Sequence, residues 1–472
     1  MNIFEIYVGG EFCKSRRVLE VFNPYNNEII AQTYLCEQTD LEQAIEKALL
    51  AEEQLKSLPS YIKYEALMQI AGSINENRKE FAELLCLESA KPIKYALGEI
   101  DRAIQTFIIA AEESKRLPRE YIDLEWTPAG AKKEGLIKYF PVGLIAGIAP
   151  FNFPLNLAVH KIAPAIASGC PIILKPSTST PLSTLKLARV IDKTNLPKGA
   201  VSVLPMDRKT GNQLVTDERF KLLSFTGSPE VGWKMKKDAG KKKVVLELGG
   251  NAGVIITGSA DLDVAVKKCI IGGFAYSGQV CIHAQRIYVH DKVFKEFTER
   301  FIKEIKKLKP GKPMNIDTDI SAMIDEANAI RVEDWVNEAV KDGAKILTGG
   351  IREKAYYPPT VLSETHKEMK VCALEVFGPV VTLEPYKHFE AAVNHVNEGR
   401  FGLQAGIFTD NLDEINFAFF NLDVGGVIIN DVPTFRVDNM PYGGIKNSGL
   451  GREGVKYAIF DMMEAKILVK NF

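Results

Sequence analysis

The chain has 472 residues, of which 46% are hydrophobic and 25% charged, with a formal net charge of −1. That length exceeds what one hydrophobic core usually serves, so two or three domains are expected. The near-balanced charge excludes a broad electrostatic footprint for nucleic acid. Seven scattered cysteines form no CxxC pair or Cys/His cluster, so neither a metal site nor a disulfide framework is expected.

The N-terminus lacks a basic region followed by an apolar core, so no signal peptide is expected. Residues 142–149 are apolar but too few to span a bilayer. With free thiols that suit a reducing compartment, the expectation is a cytoplasmic protein without a membrane partner. Residues 5–12 have the turn chemistry of a hairpin. Thr39 and Glu42 make a capping-box pattern, followed by Leu41, Ala44, Ile45, Ala48 and Leu49 at helical spacing. Helical patterns continue to about Lys115. Residues 118–138 break them with Pro, Gly and Trp, as an excursion from the main body would. From Val142 the rhythm becomes strand, helix, strand, with short apolar runs at 142–149, 171–174, 200–204, 221–225 and 244–248. This predicts an α/β fold with a mostly parallel, doubly wound sheet. A second α/β region runs from Gly250 to roughly Asn430. Residues 465–470 read as a strand that pairs with the excursion or with another subunit.

Several positions carry chemistry. No G-x-G-x-x-G follows the first strand of the sheet. Instead, after the fourth run, Phe225-Thr226-Gly227-Ser228-Pro229 opens a helix, with Ser228 at the N-cap and Pro229 at the first helical position. It is either an ordinary cap or an anion site. Lys175 closes the second run, where nucleotides bind in this architecture, or is an exposed lysine before a Pro turn. Cys281 follows Ser277, Gly278 and Gln279, which predicts an open loop and a candidate thiolate nucleophile, its pKa lowered by a helix start or nearby dipole. Cys170, Cys269 and Cys372 read as small buried hydrophobes. Glu247 ends an apolar strand ahead of Gly249 and Gly250, as a surface charge or as a desolvated base. Asn152, bracketed by prolines and aromatics, is a turn-former or a donor to a developing oxyanion.

In this order and at these spacings, residues 150–154, Lys175-Pro176-Ser177, 225–232, 247–250, 278–281, Glu375-Val376-Phe377-Gly378-Pro379 and Pro441-Tyr442-Gly443-Gly444 resemble the NAD(P)-dependent aldehyde dehydrogenase superfamily over essentially the whole chain. The region around the substrate positions resembles the lactaldehyde, glyceraldehyde and semialdehyde group. The resemblance implies a cofactor domain (1–120 and 142–248), a catalytic domain (249–436) and a small β oligomerisation arm (121–141 and 455–472) of a homodimer or homotetramer. It implies Cys281 as nucleophile, Glu247 as the base for the deacylating water, and Asn152 with the Cys281 N–H as oxyanion hole. Glu375 and Lys175 match positions that hold cofactor ribose hydroxyls, Ser228 the pyrophosphate contact, and Phe377 the nicotinamide side. Pro150, Val231 and Leu248 match other cofactor-lining positions, and Lys161 and Glu453 match supporting proton-transfer positions.

Many NAD-preferring relatives carry Glu where this chain has Thr178. Without a carboxylate to repel a 2′-phosphate, NADP is tolerated alongside NAD. Arg102, Phe151, Val280, Ile282, Phe435 and Arg436 fall near the substrate tunnel of the family, with His283 close. Guanidinium forks there predict a small polar or anionic aldehyde, unless Arg102 pairs with Glu99 or Asp101 instead. The expected reaction is oxidation of that aldehyde to the acid through a cysteine thiohemiacetal and a thioester hydrolysed by water. The alternatives are a CoA-acylating semialdehyde dehydrogenase, a catalytically silent binding relative, and a cofactor-free thiol hydrolase. Glu247 disfavours the first, the intact Cys281, Glu247 and Asn152 the second, and the missing Cys-His-Asn signature the third.

Overall fold

A computed structural model describes residues 2–472. The N-terminal hairpin pairs Ile6–Val8 with Glu11–Cys13 across Gly9 (φ 55°) and Gly10 (φ 98°), the two consecutive positive φ angles that a tight hairpin turn requires. The first long helix is Gln38–Ser57, and its cap differs from the expected Thr39/Glu42 pair. Asp40 reaches back to the Glu37 N–H at 2.8 Å, while Glu42 reaches outward to Arg219. The box is therefore Glu37 with Asp40: Thr39 already lies within the helix, and Glu42 is drawn off by an arginine 177 positions away.

The helices Ser60–Glu76, Arg78–Ser89 and Ile93–Ser114 follow, the last matching the expected limit near Lys115. Their apolar stripes, including Leu67, Ile70, Ile74, Ile100 and Phe107, are fully buried in one cluster with the helix Pro154–Ser168. That helix is buried along its entire length. A helix with no solvent face must satisfy its polar side chains internally, and this one carries Asn156, His160 and Lys161.

The central sheet runs Lys243–Glu247, Leu222–Thr226, Ile145–Ile148, Ile172–Lys175, Val201–Val203, all parallel. The N-terminal hairpin extends one edge antiparallel, and Gly449–Leu450 extends the other. From Ile145–Ile148 the chain first builds toward Val201–Val203, then returns to build the opposite side. The order thus reverses beside Ile145–Ile148, and in doubly wound sheets ligands bind at the strand carboxyl ends where this happens. Asn152, Ser228 and Lys175 sit at three of those ends.

A second sheet runs Lys345–Thr348, Thr360–Ser363, Val380–Tyr386, Ala284–His290, Ala252–Ile256, Gln404–Phe408, Gly426–Ile429. It is parallel apart from its first strand. The excursion and the tail meet in a third, antiparallel sheet: Arg119–Asp123, Lys133–Pro141 and Met463–Asn471. Helix Val455–Asp461, just before it, packs on Pro154–Ser168 rather than joining that sheet. Among the described residues, no helix is long and apolar enough to cross a membrane, and no group of three or more His, Cys, Asp or Glu is placed to hold a metal ion.

Candidate active site

The segment leading to Cys281 leaves the helix Leu262–Phe274 through three consecutive left-handed residues, Tyr276 (φ 50°), Ser277 (φ 55°) and Gly278 (φ 68°). Such backbone costs energy for non-glycine residues and persists only where its surroundings hold it. Here the Tyr276 hydroxyl donates to the Ser89 carbonyl (3.2 Å) and the Ser277 hydroxyl to the Ser321 carbonyl (2.7 Å). The Ile324 N–H donates to Gln279 Oε1 (2.9 Å). A Cβ on Gly278 would come within 2.2 Å of the Gly378 carbonyl. The expected open loop is therefore a packed one: residues 276–280 are buried, and only Cys281 is partly exposed. Gly278 serves close approach, not mobility. Nor is the thiol acidified. Burial pushes its pKa up to about 11, against the pull of the Tyr442 hydroxyl, 3.0 Å from Sγ, and the Arg436 charge.

Asn152 lies beside this segment, its amide Nδ2 donating to the Gln279 carbonyl at 2.9 Å. Its own carbonyl accepts from Lys91 Nζ at 2.7 Å. The Lys91 ammonium, fully buried, is paired with Glu99 and sits 3.9 Å from the ring centre of Phe153 and 4.4 Å from that of Tyr276. Glu99 in turn accepts from the Leu155 and Asn156 N–H groups (3.0 and 3.1 Å), satisfying the start of Pro154–Ser168.

Glu247, at the end of its strand, is buried; Oε1 accepts from the Glu453 N–H (3.1 Å), and Oε2 has no protein partner. Burial, then the nearby Glu453 carboxylate, push its carboxyl well above the usual range, while Arg436 and Lys161 oppose this. Glu453 goes the other way. Despite burial, Lys161 and Arg436 bring it down to about 2, with Arg436 donating at 2.9 Å and Lys161 at 3.4 Å. Lys161 also donates to Thr226 Oγ1 (2.7 Å) and Ser224 Oγ (3.2 Å), and burial pulls its pKa down. Two carboxyl groups side by side with opposed shifts form an arrangement suited to acid–base work.

A cleft of about 530 Å³ opens at the carboxyl ends of the central sheet, lined by Pro150, Lys175, Thr178, Ser228 and Val231. Ser228 occupies the N-cap of Pro229–Asp238, but its hydroxyl makes no cap bond, leaving the first-turn N–H groups without a side-chain acceptor. A bound anion fits there. Burial lowers the Lys175 pKa. Arg208, unremarked in the sequence, borders the same cleft, while its neighbour Asp207 is tied to Arg17 and the Thr210 N–H. Leu248 is buried instead, against Gly232. Glu375 folds over Gly249 and accepts from the Gly250 N–H (3.1 Å); burial pushes its carboxyl up to about 8. Phe377, itself left-handed (φ 46°), packs edge-on against Phe151 at 5.7 Å.

Among the substrate candidates, Ile282 packs with Val280, Leu403 and Tyr442 around Cys281. Arg102 pairs with neither Glu99 nor Asp101, which are taken by Lys91 and Arg78. It binds Asp438 (2.6 Å), which also contacts His160 (2.8 Å). Arg436 is buried over the face of Tyr442, 3.7 Å from its ring centre. His283 turns from Cys281 to the Gly273 carbonyl (2.8 Å), and burial lowers its pKa to about 4. Lys91, Asp438 and His160 escaped sequence reasoning because their partners Asn152, Arg102 and Asp438 are remote in the chain, and Arg208 because only the fold brings it to the cleft.

Comparison with known proteins gives consistent matches. The model of the aldehyde dehydrogenase family matches residues 12–468. A 3-sulfolactaldehyde dehydrogenase of Priestia aryabhattai is 41% identical over 470 residues, covering 99% of this chain and 98% of the relative. The crystal structure of aldehyde dehydrogenase 21 from Physcomitrella patens, in complex with the reaction product succinate, superposes with a TM-score of 0.98 at 45% identity, covering 100% and 98% of the two chains. Glyceraldehyde-3-phosphate dehydrogenase GapN from Methanocaldococcus jannaschii, complexed with NADP, superposes at 0.93 with 38% identity, covering 97% and 100%.

Replacing Lys91 by Met leaves Glu99 buried without its cation and frees the Asn152 carbonyl. Urea unfolding of Lys91→Met is expected to show a loss of roughly 3–5 kcal/mol. An unchanged midpoint would mean that the pair contributes nothing.

Proposed function

The chain belongs to the aldehyde dehydrogenase family, and on that premise we propose that it oxidises short anionic aldehydes to carboxylic acids, with Cys281 as nucleophile and Glu247 as base. The observation that carries the roles is a buried carboxyl with a free Oε2, linked through the Glu453 and Tyr442 backbones to the residue whose hydroxyl touches the Cys281 sulfur.

The Cys281 sulfur, as the thiolate left once its proton has passed to solvent, attacks the aldehyde carbon, and the Asn152 amide donates to the oxygen as it gains charge. Bound NAD(P) would supply the hydride acceptor for oxidation at that carbon, the change that separates thiohemiacetal from thioester. Pro150, Lys175, Thr178, Ser228, Val231, Leu248, Glu375 and Phe377 are the residues we assign to holding it. Glu247 then accepts a proton from the water that attacks the thioester carbon; the carbon–sulfur bond breaks, the acid leaves and the thiolate returns. Keeping Glu247 favours water over CoA as acceptor. Lys161 and Glu453 act as supports for this carboxyl.

Anionic substrate is supported by Arg436 near the nucleophile and Arg102, which shares Asp438 with it, and by relatives named for sulfolactaldehyde and glyceraldehyde-3-phosphate and one solved in complex with its reaction product succinate. Arg102 is the better candidate for direct contact, because it keeps about 29% of its side chain exposed while Arg436 is spent on Glu453. For the cofactor, Lys175, Thr178 and Arg208 offer a 2′-phosphate cations and a hydroxyl, with no free carboxylate against it. We take the break between the two sheets, at 248/249, as the boundary of cofactor and catalytic domains. The half-exposed Ile467, Leu468 and Val469 of the last strand support a homodimer or homotetramer. Seven free cysteines fit a cytoplasmic location.

Three outcomes follow. Glu247→Gln should keep the first burst of reduced cofactor in stopped flow while steady turnover falls about 10²–10⁴-fold. Because the carboxyl of Glu247 is raised and only its ionised form accepts a proton, parent turnover should climb as pH passes through that raised value, and the variant should lose the climb; a variant with parental turnover removes Glu247 from the role. Arg102→Ala should lower kcat/KM for succinate semialdehyde about tenfold or more, the worth of a hydrogen bond to a charged group, and affect hexanal less; an unaltered preference removes Arg102 from substrate binding. The parent should accept NADP, and Arg208→Ala should lower kcat/KM for NADP about tenfold relative to NAD. A thousandfold parental preference for NAD overturns the cofactor reading.

A further inference from the structure

Tyr442 lies in the Pro441-Tyr442-Gly443-Gly444 segment and is buried, its ring among Val280, Ile282, Leu403 and the Cys281 side chain. Its backbone is clamped at both ends to Glu453, which donates its N–H to the Tyr442 carbonyl (2.6 Å) and accepts the Tyr442 N–H (2.8 Å). The hydroxyl therefore has little freedom to choose a partner. Among the described residues, its one hydrogen-bond partner is the Cys281 sulfur at 3.0 Å.

A buried phenol hydroxyl needs a partner, and a neutral thiol is a poor one, being both a weak donor and a weak acceptor. A thiolate is a full anionic acceptor, and hydrogen bonds to charged groups are roughly twice as strong as neutral ones. The geometry is therefore best satisfied when the sulfur is charged. The Arg436 guanidinium, 3.7 Å from the centre of the same ring, adds positive charge that strengthens the hydroxyl as a donor. The phenol does not compete for the role of base: burial and the adjacent sulfur both hold its proton on.

We propose that the Tyr442 hydroxyl is a catalytic hydrogen-bond donor that stabilises the Cys281 thiolate when it forms and aims it at the substrate, with Arg436 stacked on the ring to strengthen it. This rests on the reading of Cys281 as the nucleophile. Phe at this position would fill the same volume, keep the stack on Arg436 and remove only the donor.

The test reads the sulfur directly, without turnover. Alkylation of the cofactor-free protein by iodoacetamide is followed from pH 6 to 10.5, with the modified peptide identified by mass spectrometry. In Tyr442→Phe, alkylation of Cys281 at pH 8 should be about tenfold slower and its pH profile displaced to higher pH, the size expected for losing a hydrogen bond to a charged group. A 3-fluorotyrosine placed at 442 keeps the shape, donates more strongly and should speed alkylation; this arm decides the matter if the Phe variant does not fold. Profiles that superimpose on the parent, with Cys281 still the modified residue, overturn the assignment of Tyr442 alone. Aldehyde oxidation that survives Cys281→Ala overturns instead the nucleophile reading beneath it.

Discussion

One buried ammonium holds the site together. Lys91 donates to the Asn152 carbonyl, pairs with Glu99 and lies against the rings of Phe153 and Tyr276. It thereby joins the loop after the first parallel strand, the start of the fully buried helix Pro154–Ser168 and the left-handed turn that carries Cys281. Burying a lysine is costly unless its charge is paired and its hydrogen bonds are made. Here a carboxylate, a carbonyl and two aromatic faces meet those demands together. The Asn152 amide is then fixed against Gln279, within one turn of the sulfur, and the strained backbone at Tyr276 and Ser277 is kept from relaxing.

The second constraint is charge balance among buried side chains. Glu453 and Asp438 are ionised, and Lys161, Arg436 and Arg102 are cations within salt-bridge distance of them. With Glu247 ionised, three carboxylates face three cations. With Glu247 protonated, one positive charge is left over, in the same pocket that is to receive an anionic substrate and a thiolate. The state of Glu247 and the charge of what lies beside it are thus linked, since each alters the cost of the other in a medium of low dielectric. The linkage also explains the opposed shifts of Glu247 and Glu453: the cations are nearer to Glu453, so it keeps its charge and raises the cost of a second one.

The parallel strands, their order of appearance and the chemistry-bearing residues at their ends were legible because each rests on local signals: apolar runs, a Ser-Pro helix start, a carboxylate at a strand terminus. The capping box of the first helix was misread by two residues, since Thr39/Glu42 and Glu37/Asp40 match the same spacing and only a remote arginine decides between them. The loop before Cys281 was misread more seriously. Serine and glycine there suggested openness, yet those small residues permit dense packing against residues 89, 321, 324 and 378. The same distance in sequence concealed the partner of Arg102: Glu99 and Asp101 lie on its own helix, whereas Asp438 is 336 positions away. Pairings across such separations leave no periodicity to read.

The dense packing of the turn before the nucleophile has a consequence beyond catalysis. Peroxides and other electrophiles in the cell attack thiolates and largely spare thiols. The packed turn leaves Cys281 only partly exposed, and the cysteines at 36, 86, 170 and 269 are sealed inside the protein, so few of its sulfurs are open to attack.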